Sequence, residues 1–472
     1  MKRIVIIGAG ITGLAAAHRI GELAAARARP IEVTILERGA RAGGPLKTVR
    51  RDGFTMETGA DSFLTEKPAA ADLARRLGLE NDLIPTREQF RRTYVVHDGK
   101  LVEIPEGFSL LAPTHLEPVM KSSIFSEEGK RRIAMEPSVA PRIDAGDESL
   151  AAFVTRRLGR EVLDRVAQPL AGGIYTADPE RLSMAATMPR FVEMERRYGS
   201  LIHGLQEAEK ARTLKTAGTS GARWSLFLSM RTGMGSLVDA LAARVSKSLR
   251  FGADVCDVSR HDDGWTVALA DGNRFDTDAI ICAAPAFAAA RFLKSTDAAL
   301  AQALGKASYA SAATVNLTFR ESDFPKSPNA FGFVVPIIEH RKIIAGSFSS
   351  LKFEGRAPAG TILARAFVGG VLQNDMNSLP DDAIVTAVRD EFRALLGVTA
   401  APGIVEVQRW PDSMPQYEVG HLDRVAEIER AAARLPRFVL AGAAYRGVGI
   451  PDCIRSGEQA AQTILDQASR PE

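Results

Sequence analysis

The stretch RIVIIGAGITGLAAAHRI, residues 3–20, joins a β-branched run to glycines at 8, 10 and 13 and then to an alanine-rich tract. The run 3–7 has the pattern of a strand buried in a parallel sheet. A G-x-G-x-x-G element between strand and helix has a mechanical meaning. Gly8 permits the tight turn, Gly10 lets the backbone approach a diphosphate, and Gly13 lets the helix pack closely on the strand. The turn residues Ala9, Ile11 and Thr12 would then present backbone N–H groups to an anion at the helix start. A second strand, IEVTILER, ends at Glu37 and Arg38, with Glu37 24 positions after Gly13. An acid at that point can bind the ribose hydroxyls of an adenosine. Strand, glycines, helix, strand and terminal acid in this order predict a dinucleotide site.

Working outward, RAGGPLKTVRRDGFTMETGADSF (41–63) places Gly43 and Gly44 soon after the ribose acid and ends in Gly59, Ala60, Asp61 and Ser62. Far along the chain, MRTGMGSLVDALAARV (230–245) reads as a glycine turn and an amphipathic helix, with Leu237, Leu241 and Val245 at a spacing of four. GADVCDVSR and GWTVALADG read as two strands with a turn at Asp262-Asp263, and RFDTDAIICAAP as one further strand ending at Pro285. Near the C-terminus, AGAAYRGVGIPDC (441–453) follows a short apolar strand, Phe438 to Leu440, and leads into a helix. Pro451 suits the first helical turn, where its missing N–H costs nothing. Gly442, Gly449, Ile450 and Pro451 leave that helix start free of bulky side chains. A flavin ring, whose pyrimidine end gains negative charge on reduction, is the expected neighbour.

Composition excludes several classes. With 472 residues, 46% apolar, 25% charged and a net charge of +3, the chain suits a globular protein of two or three domains. That charge does not suit a general nucleic-acid binder. The three cysteines form no C-x-x-C pair, and the seven histidines are scattered, so no metal is expected. The N-terminal apolar run is too short for a secretory signal, and no stretch has the length of a membrane span. A cytoplasmic location is expected.

Several stretches carry a narrower resemblance. METGADSFLTEKPAAADLARRLGL, QPLAGGIYTADPERLSMAATMPRFVEMERRYGSLI, FGFVVPIIEHRKIIAGSFSSLKFEGRAP, ARAFVGG and AYRGVGIPDCI, spread over nearly the whole chain, resemble the bacterial protoporphyrinogen IX and coproporphyrinogen III oxidases. Those enzymes are porphyrinogen oxidases of the amine oxidase-like flavoprotein superfamily. The resemblance implies an α/β, α+β overall, architecture. A Rossmann-like FAD domain would be assembled from 1–87, 228–292 and 437–472. A mixed-sheet substrate domain would take 88–105 and 293–436, and a helical, membrane-facing domain 106–227. It implies non-covalent FAD held by Gly8–Gly13, Glu37, Arg38, the Gly43-Gly44 pair, Gly59–Ser62, Val255 at the adenine, Trp410, and the C-terminal residues Gly442 and Gly449–Pro451. Carried over residue by residue, the substrate positions are Arg92 at a propionate, Gly173 in the pocket wall, Val334 and Ser347 about one pyrrole, and Phe367 stacked on another. Ser347 departs from the apolar residue expected there, and Pro45 departs from the polar residue common after the glycine pair.

The implied reaction is the six-electron oxidation of a porphyrinogen to a porphyrin in haem biosynthesis, with molecular oxygen reduced to hydrogen peroxide. Further expectations are a peripheral contact with the inner face of the cell membrane and a homodimer. No Ser-His-Asp, H-E-x-x-H or paired-carboxylate arrangement stands out, so the chemistry is expected to be the flavin's and no catalytic side chain is named. The alternatives are another FAD oxidase of the amine oxidase/phytoene desaturase superfamily and a flavin-binding protein without turnover.

Overall fold

The computed structural model describes residues 3–28, 30–144, 146–216, 226–261 and 264–467. The turn expected at Asp262-Asp263 lies outside the described residues. Five short strands form a wholly parallel sheet in the order Leu249–Phe251, Glu32–Glu37, Arg3–Ile7, Ala279–Cys282, Phe438–Leu440. Its members come from three separated stretches of the chain. The central strands read as continuous apolar runs because both faces are covered: Ile4, Ile6 and Ile281 sit in one core, and Val5, Ile7 and Ile280 in another.

The covering elements depend on missing side chains. The helix Ile11–Ala26 follows the glycine turn. A Cβ on Gly13 would stand 1.9 Å from the carbonyl oxygen of Gly8, so only glycine permits this contact. The last helix, Ile450–Gln467, packs against it through a face that includes Ile454, Gly457, Ala461 and Ile464. A Cβ on Gly457 would lie 2.2 Å from the Thr12 carbonyl oxygen. The helix Gly235–Arg244 packs on the same first helix through Leu237, Val238 and Leu241, and ends one residue before Val245.

One expected strand is two. RFDTDAIICAAP breaks at Asp278: Arg274–Thr277 pairs antiparallel with Gly264–Leu269, whereas Ala279–Cys282 enters the parallel sheet. The burial patterns explain the break. RFDT carries charge on a half-exposed hairpin, and AIIC is wholly buried.

A second, mixed sheet has seven strands in the order Val405–Pro415, Tyr309–Arg320, Thr361–Gly369, Ala345–Phe348, Gly332–Val334, Thr93–His97, Lys100–Glu103. Its pairings are antiparallel except that between Gly332–Val334 and Thr93–His97. One face joins a core with the helices of 116–205, through Val95, Val334 and Ala345. The other face buries Val96, Val315, Phe333 and Val368 against Ile384, Val388 and Phe392 of the helix Asp381–Leu396. Within the helical region Arg157 and Glu136 are fully buried and ion-paired. The Glu136 carboxylate also accepts the Leu201 and Ile202 amides at the start of the helix Leu201–Thr216.

The Gly457 contact gives a test. Overpacking of this kind costs about 1–3 kcal/mol, so Gly457→Ala should lower the free energy of unfolding in denaturant by that amount. An unchanged midpoint and slope would show that the two helices can separate freely.

Candidate functional site

The glycine turn, the Gly43-Gly44 loop and the segment Glu57–Ser62 form one continuous surface. Gly43 N–H donates to the Ala9 carbonyl at 2.8 Å, and Gly10 and Gly43 form an isolated parallel bridge. A Cβ on Gly8 would meet the Ala283 carbonyl oxygen at 2.9 Å, and one on Gly44 would meet Gly10 Cα at 3.6 Å. A Cβ on Gly10, in contrast, would meet nothing within 4 Å. The start of the helix Ile11–Ala26 has no side-chain cap and no acid in its first turn. Uncapped amides beside open space form a cradle for an anion.

Glu37 stands at the end of its strand as expected. Its carboxylate accepts the Ala9 and Gly39 amides, both at 2.8 Å, so it braces the glycine turn. Arg38 is exposed and Val255 is buried at the start of its strand. Arg41, which sequence reasoning passed over, donates to the carbonyls of Ala42, Gly44 and Leu46 and lies 6.0 Å from the Trp410 ring centroid. Trp410 Nε1 in turn donates to the Thr58 carbonyl at 2.6 Å.

From Thr58 onward the seven-stranded sheet holds the segment. Thr314 Oγ1 donates to the Thr58 carbonyl at 2.8 Å, Asn316 Nδ2 to the Glu57 carbonyl at 3.2 Å, and Arg365 Nη1 to the Glu57 and Gly59 carbonyls at 3.2 and 2.8 Å. Asp61 accepts Lys352 Nζ at 3.0 Å and pairs with Arg365 Nη2 at 3.2 Å. Ser62 Oγ donates to Asp61 and accepts from Lys352. Glu57 accepts the Met234 amide and the Thr48 hydroxyl, with Arg356 3.8 Å away. Burial pushes the Glu57 carboxyl up, and Arg356 offsets this only in part. Burial would also raise Asp61, but Lys352 and then Arg365 outweigh it and hold that carboxyl well below the usual carboxylate range. Lys352, Arg356 and Arg365 carried no sequence signal of their own. Arg365 takes its role from strand pairing; Lys352, at the end of the short helix Ser349–Lys352, and Arg356, in the turn after it, take theirs from where that helix meets the segment.

Four of the five expected substrate positions converge. A Cβ on exposed Gly173 would lie 4.0 Å from Val334 Cγ1. Val334 pairs with Ala345, and Ala345 with Phe367; Ser347 is two residues on from Ala345, on the same face of the sheet. Phe367 lies under the Arg365 guanidinium, 4.6 Å from ring centroid to Cζ. Arg92 is set apart. It precedes the strand Thr93–His97 with its side chain 40% exposed, 3.6 Å from Glu103, and donates to the Gln89 carbonyl and Asn329. At the C-terminus, the last helix begins at Ile450 with Pro451 and Asp452 in its first turn. Asp452 is buried and bonded to Lys67 at 2.6 Å and to Arg455 at 2.8 Å. Gly442 donates its N–H to Ser456, and Gly449 packs against Asp452. The Tyr445 hydroxyl is buried with no hydrogen-bond partner. Among the described residues, His97, Asp98 and Glu339 could bring three ligand atoms together, but the Glu339 carboxylate already accepts the Asp98 and Gly99 amides.

An anion cradle at a strand–helix turn, running through a glycine-lined path to a buried charged segment, suits a long dinucleotide that ends in a ring. Residues 11–465 match the model of the flavin-containing amine oxidoreductases. The chain belongs to that family. It is a flavin-dependent oxidoreductase, and the cradle and the open space at Gly10 fit such a group. The chain is 33% identical over 466 residues to the coproporphyrinogen III oxidase of Bacillus subtilis (strain 168), covering 98% of each. It is 30% identical to the protoporphyrinogen oxidase of Bos taurus, again covering 98% of each. A crystal structure provisionally assigned as a protoporphyrinogen oxidase from Exiguobacterium sp. 255-15 superposes with a TM-score of 0.86 at 31% identity, over 98% of this chain and 99% of that one. No helix among the described residues is long and apolar enough to cross a membrane.

The pairing of Asp61 sets a pH signature. An unfolded aspartate titrates at about 3.9, so ionised Asp61 contributes stability that is complete above about pH 5 and is lost as the pH falls from about 4 toward its folded value. The melting-temperature gap between wild type and Asp61→Asn should stay constant from pH 5 to 8 and narrow below pH 4. A gap that does not change down to pH 3 would mean that Asp61 is not held ionised.

Proposed function

We propose that this protein is an FAD-dependent porphyrinogen oxidase of haem biosynthesis that acts on coproporphyrinogen III in preference to protoporphyrinogen IX. The observation that carries the reading is likeness along the full chain. Three bacterial coproporphyrinogen III oxidases are 31–34% identical to it, and the protoporphyrinogen oxidases of plants and mammals are 26–30% identical. The convergence of Gly173, Val334, Ser347 and Phe367 beside the segment Gly59–Ser62 supports it.

A porphyrinogen loses six hydrogens and six electrons in becoming a porphyrin, and three molecules of oxygen reduced to three of hydrogen peroxide balance that loss. The flavin, bound non-covalently, supplies two-electron acceptance in each of three rounds. The chain's own work is to bind and orient. Gly8–Gly13, Gly43 and Gly44 hold the diphosphate, Glu37 turns to the ribose, and the start of the last helix takes the ring. Phe367 and Val334 offer apolar contact to pyrroles, while Ser347 leaves room and a hydroxyl at one side. Arg92, whose present contacts are solvent-exposed, turns to a propionate. We assign the flavin role to a discontinuous unit made of 1–87, 228–292 and 437–472, and substrate binding to the seven-stranded sheet.

Purified protein should be yellow and release FAD on denaturation. Gly10→Val, which fills the open space at the cradle, should abolish FAD retention, and full occupancy in that variant would reject the assignment. Anaerobic mixing with each porphyrinogen should bleach the flavin, faster with the coproporphyrinogen; bleaching by an amine alone would point to an amine oxidase. Loss of a charge-assisted bond of about 1.5 kcal/mol, reduced by exposure, should make Arg92→Ala raise KM up to about tenfold while kcat holds. Unchanged kinetics with both substrates would leave Arg92 as a surface charge.

A further inference from the structure

Arg365, Ser347 and Asn316 occupy one rung of the seven-stranded sheet. Arg365 pairs in register with Ser347 on one side and with Asn316 on the other. Each keeps a buried polar atom without a partner: Arg365 Nε, Ser347 Oγ and Asn316 Oδ1. Leaving one such atom unpaired is costly, so three enclosed ones in one rung, with no partner among the described residues, mark a polar part of the interior that the polypeptide does not fully compensate. The remainder of Arg365 is fully engaged. Its fork holds the Glu57 and Gly59 carbonyls and Asp61, and its flat face covers Phe367. One side chain thus spans the segment assigned to the flavin and the aromatic assigned to the substrate.

The charge balance points the same way. Three cations, Lys352, Arg356 and Arg365, meet two carboxylates, Glu57 and Asp61. Arg356, Arg365, Glu57 and Asp61 are all buried, and the Lys352 side chain is 16% exposed. Water therefore screens the excess positive charge poorly. A flavin gains negative charge when it is reduced, and preorganised positive charge beside it favours that form.

We propose that Arg365, with Lys352, is a positioning residue that raises the reduction potential of the bound flavin and fixes the spacing between the Glu57–Ser62 segment and Phe367. The proposal rests on the reading above only in placing a flavin beside Gly59–Ser62; it does not depend on which substrate is used.

The test is the two-electron reduction potential of the bound flavin, measured anaerobically against a reference dye, with flavin stoichiometry determined on the same samples. Arg365→Met should weaken the preference for reduced over oxidised flavin about tenfold, a shift of about −30 mV for a two-electron couple. Arg365→Lys should recover most of it. Lys352→Gln, at the margin of the cluster, should shift the potential in the same direction and serves as the decisive variant if Arg365→Met does not fold. A wild-type potential in Lys352→Gln, or in a fully loaded Arg365→Met, overturns the proposal. Wild-type protein that binds no flavin would instead reject the underlying functional reading, a different and separately visible outcome.

Discussion

Buried backbone carbonyls must find donors, and in this molecule that requirement joins its two halves. The segment Glu57–Gly59 leaves the hairpin of Thr48–Arg51 and Phe54–Glu57 and passes over the seven-stranded sheet, none of whose described strands pairs with it. Its carbonyls are met by side chains from three adjacent strands: Thr314 and Asn316, Arg365, and Trp410. Removing these donors would leave unpaired carbonyls in a low-dielectric interior, a cost folding avoids. The ordering of this segment is therefore inseparable from the docking of the sheet.

The same economy of contact governs the parallel sheet. Gly13 against Gly8, Gly457 against Thr12 and Gly59 against the Pro45 carbonyl are backbone approaches that a single added carbon would prevent. They bring the first and last helices together on one side of the central strand, with the helix Gly235–Arg244 also against the first. An anion cradle at the first helix and a glycine-lined start at the last then lie at the same end of the sheet's connections. This is how residues more than four hundred positions apart come to be neighbours.

Strength of local pattern explains which features are legible in the chain. The run 3–7, the glycines at 8, 10 and 13, and the strand Phe438–Leu440 each depend on near neighbours, and they appear where expected. The tract 274–285 reads as one strand because its apolar content is continuous, although only its second half enters the parallel sheet. The Gly173, Val334, Ser347 and Phe367 grouping comes from resemblance, not from spacing; register explains the proximity of the three sheet residues, and the helix Gln168–Tyr175 brings Gly173 to Val334. Arg92 shows the converse: a residue type suited to a carboxylate, placed at the sheet margin with Glu103 as its neighbour.

By itself, then, the sequence determined the strand–glycine–helix unit, the α/β class and, through resemblance, the flavoprotein family. The first two rest on short-range sterics and hydrophobic period, the third on motifs carried within a few residues. Only the tertiary structure decided that Lys352, Arg356 and Arg365 share one buried cluster with Glu57 and Asp61, and that Arg365, Ser347 and Asn316 share a rung. No local rule could have joined them, because a lysine or arginine in an isolated strand is ordinarily a solvated charge. It becomes a buried, electrostatically strong group only when the short helix Ser349–Lys352, the turn after it and the strand Thr361–Gly369, about 300 residues from the Glu57–Ser62 segment, close over that segment and exclude water.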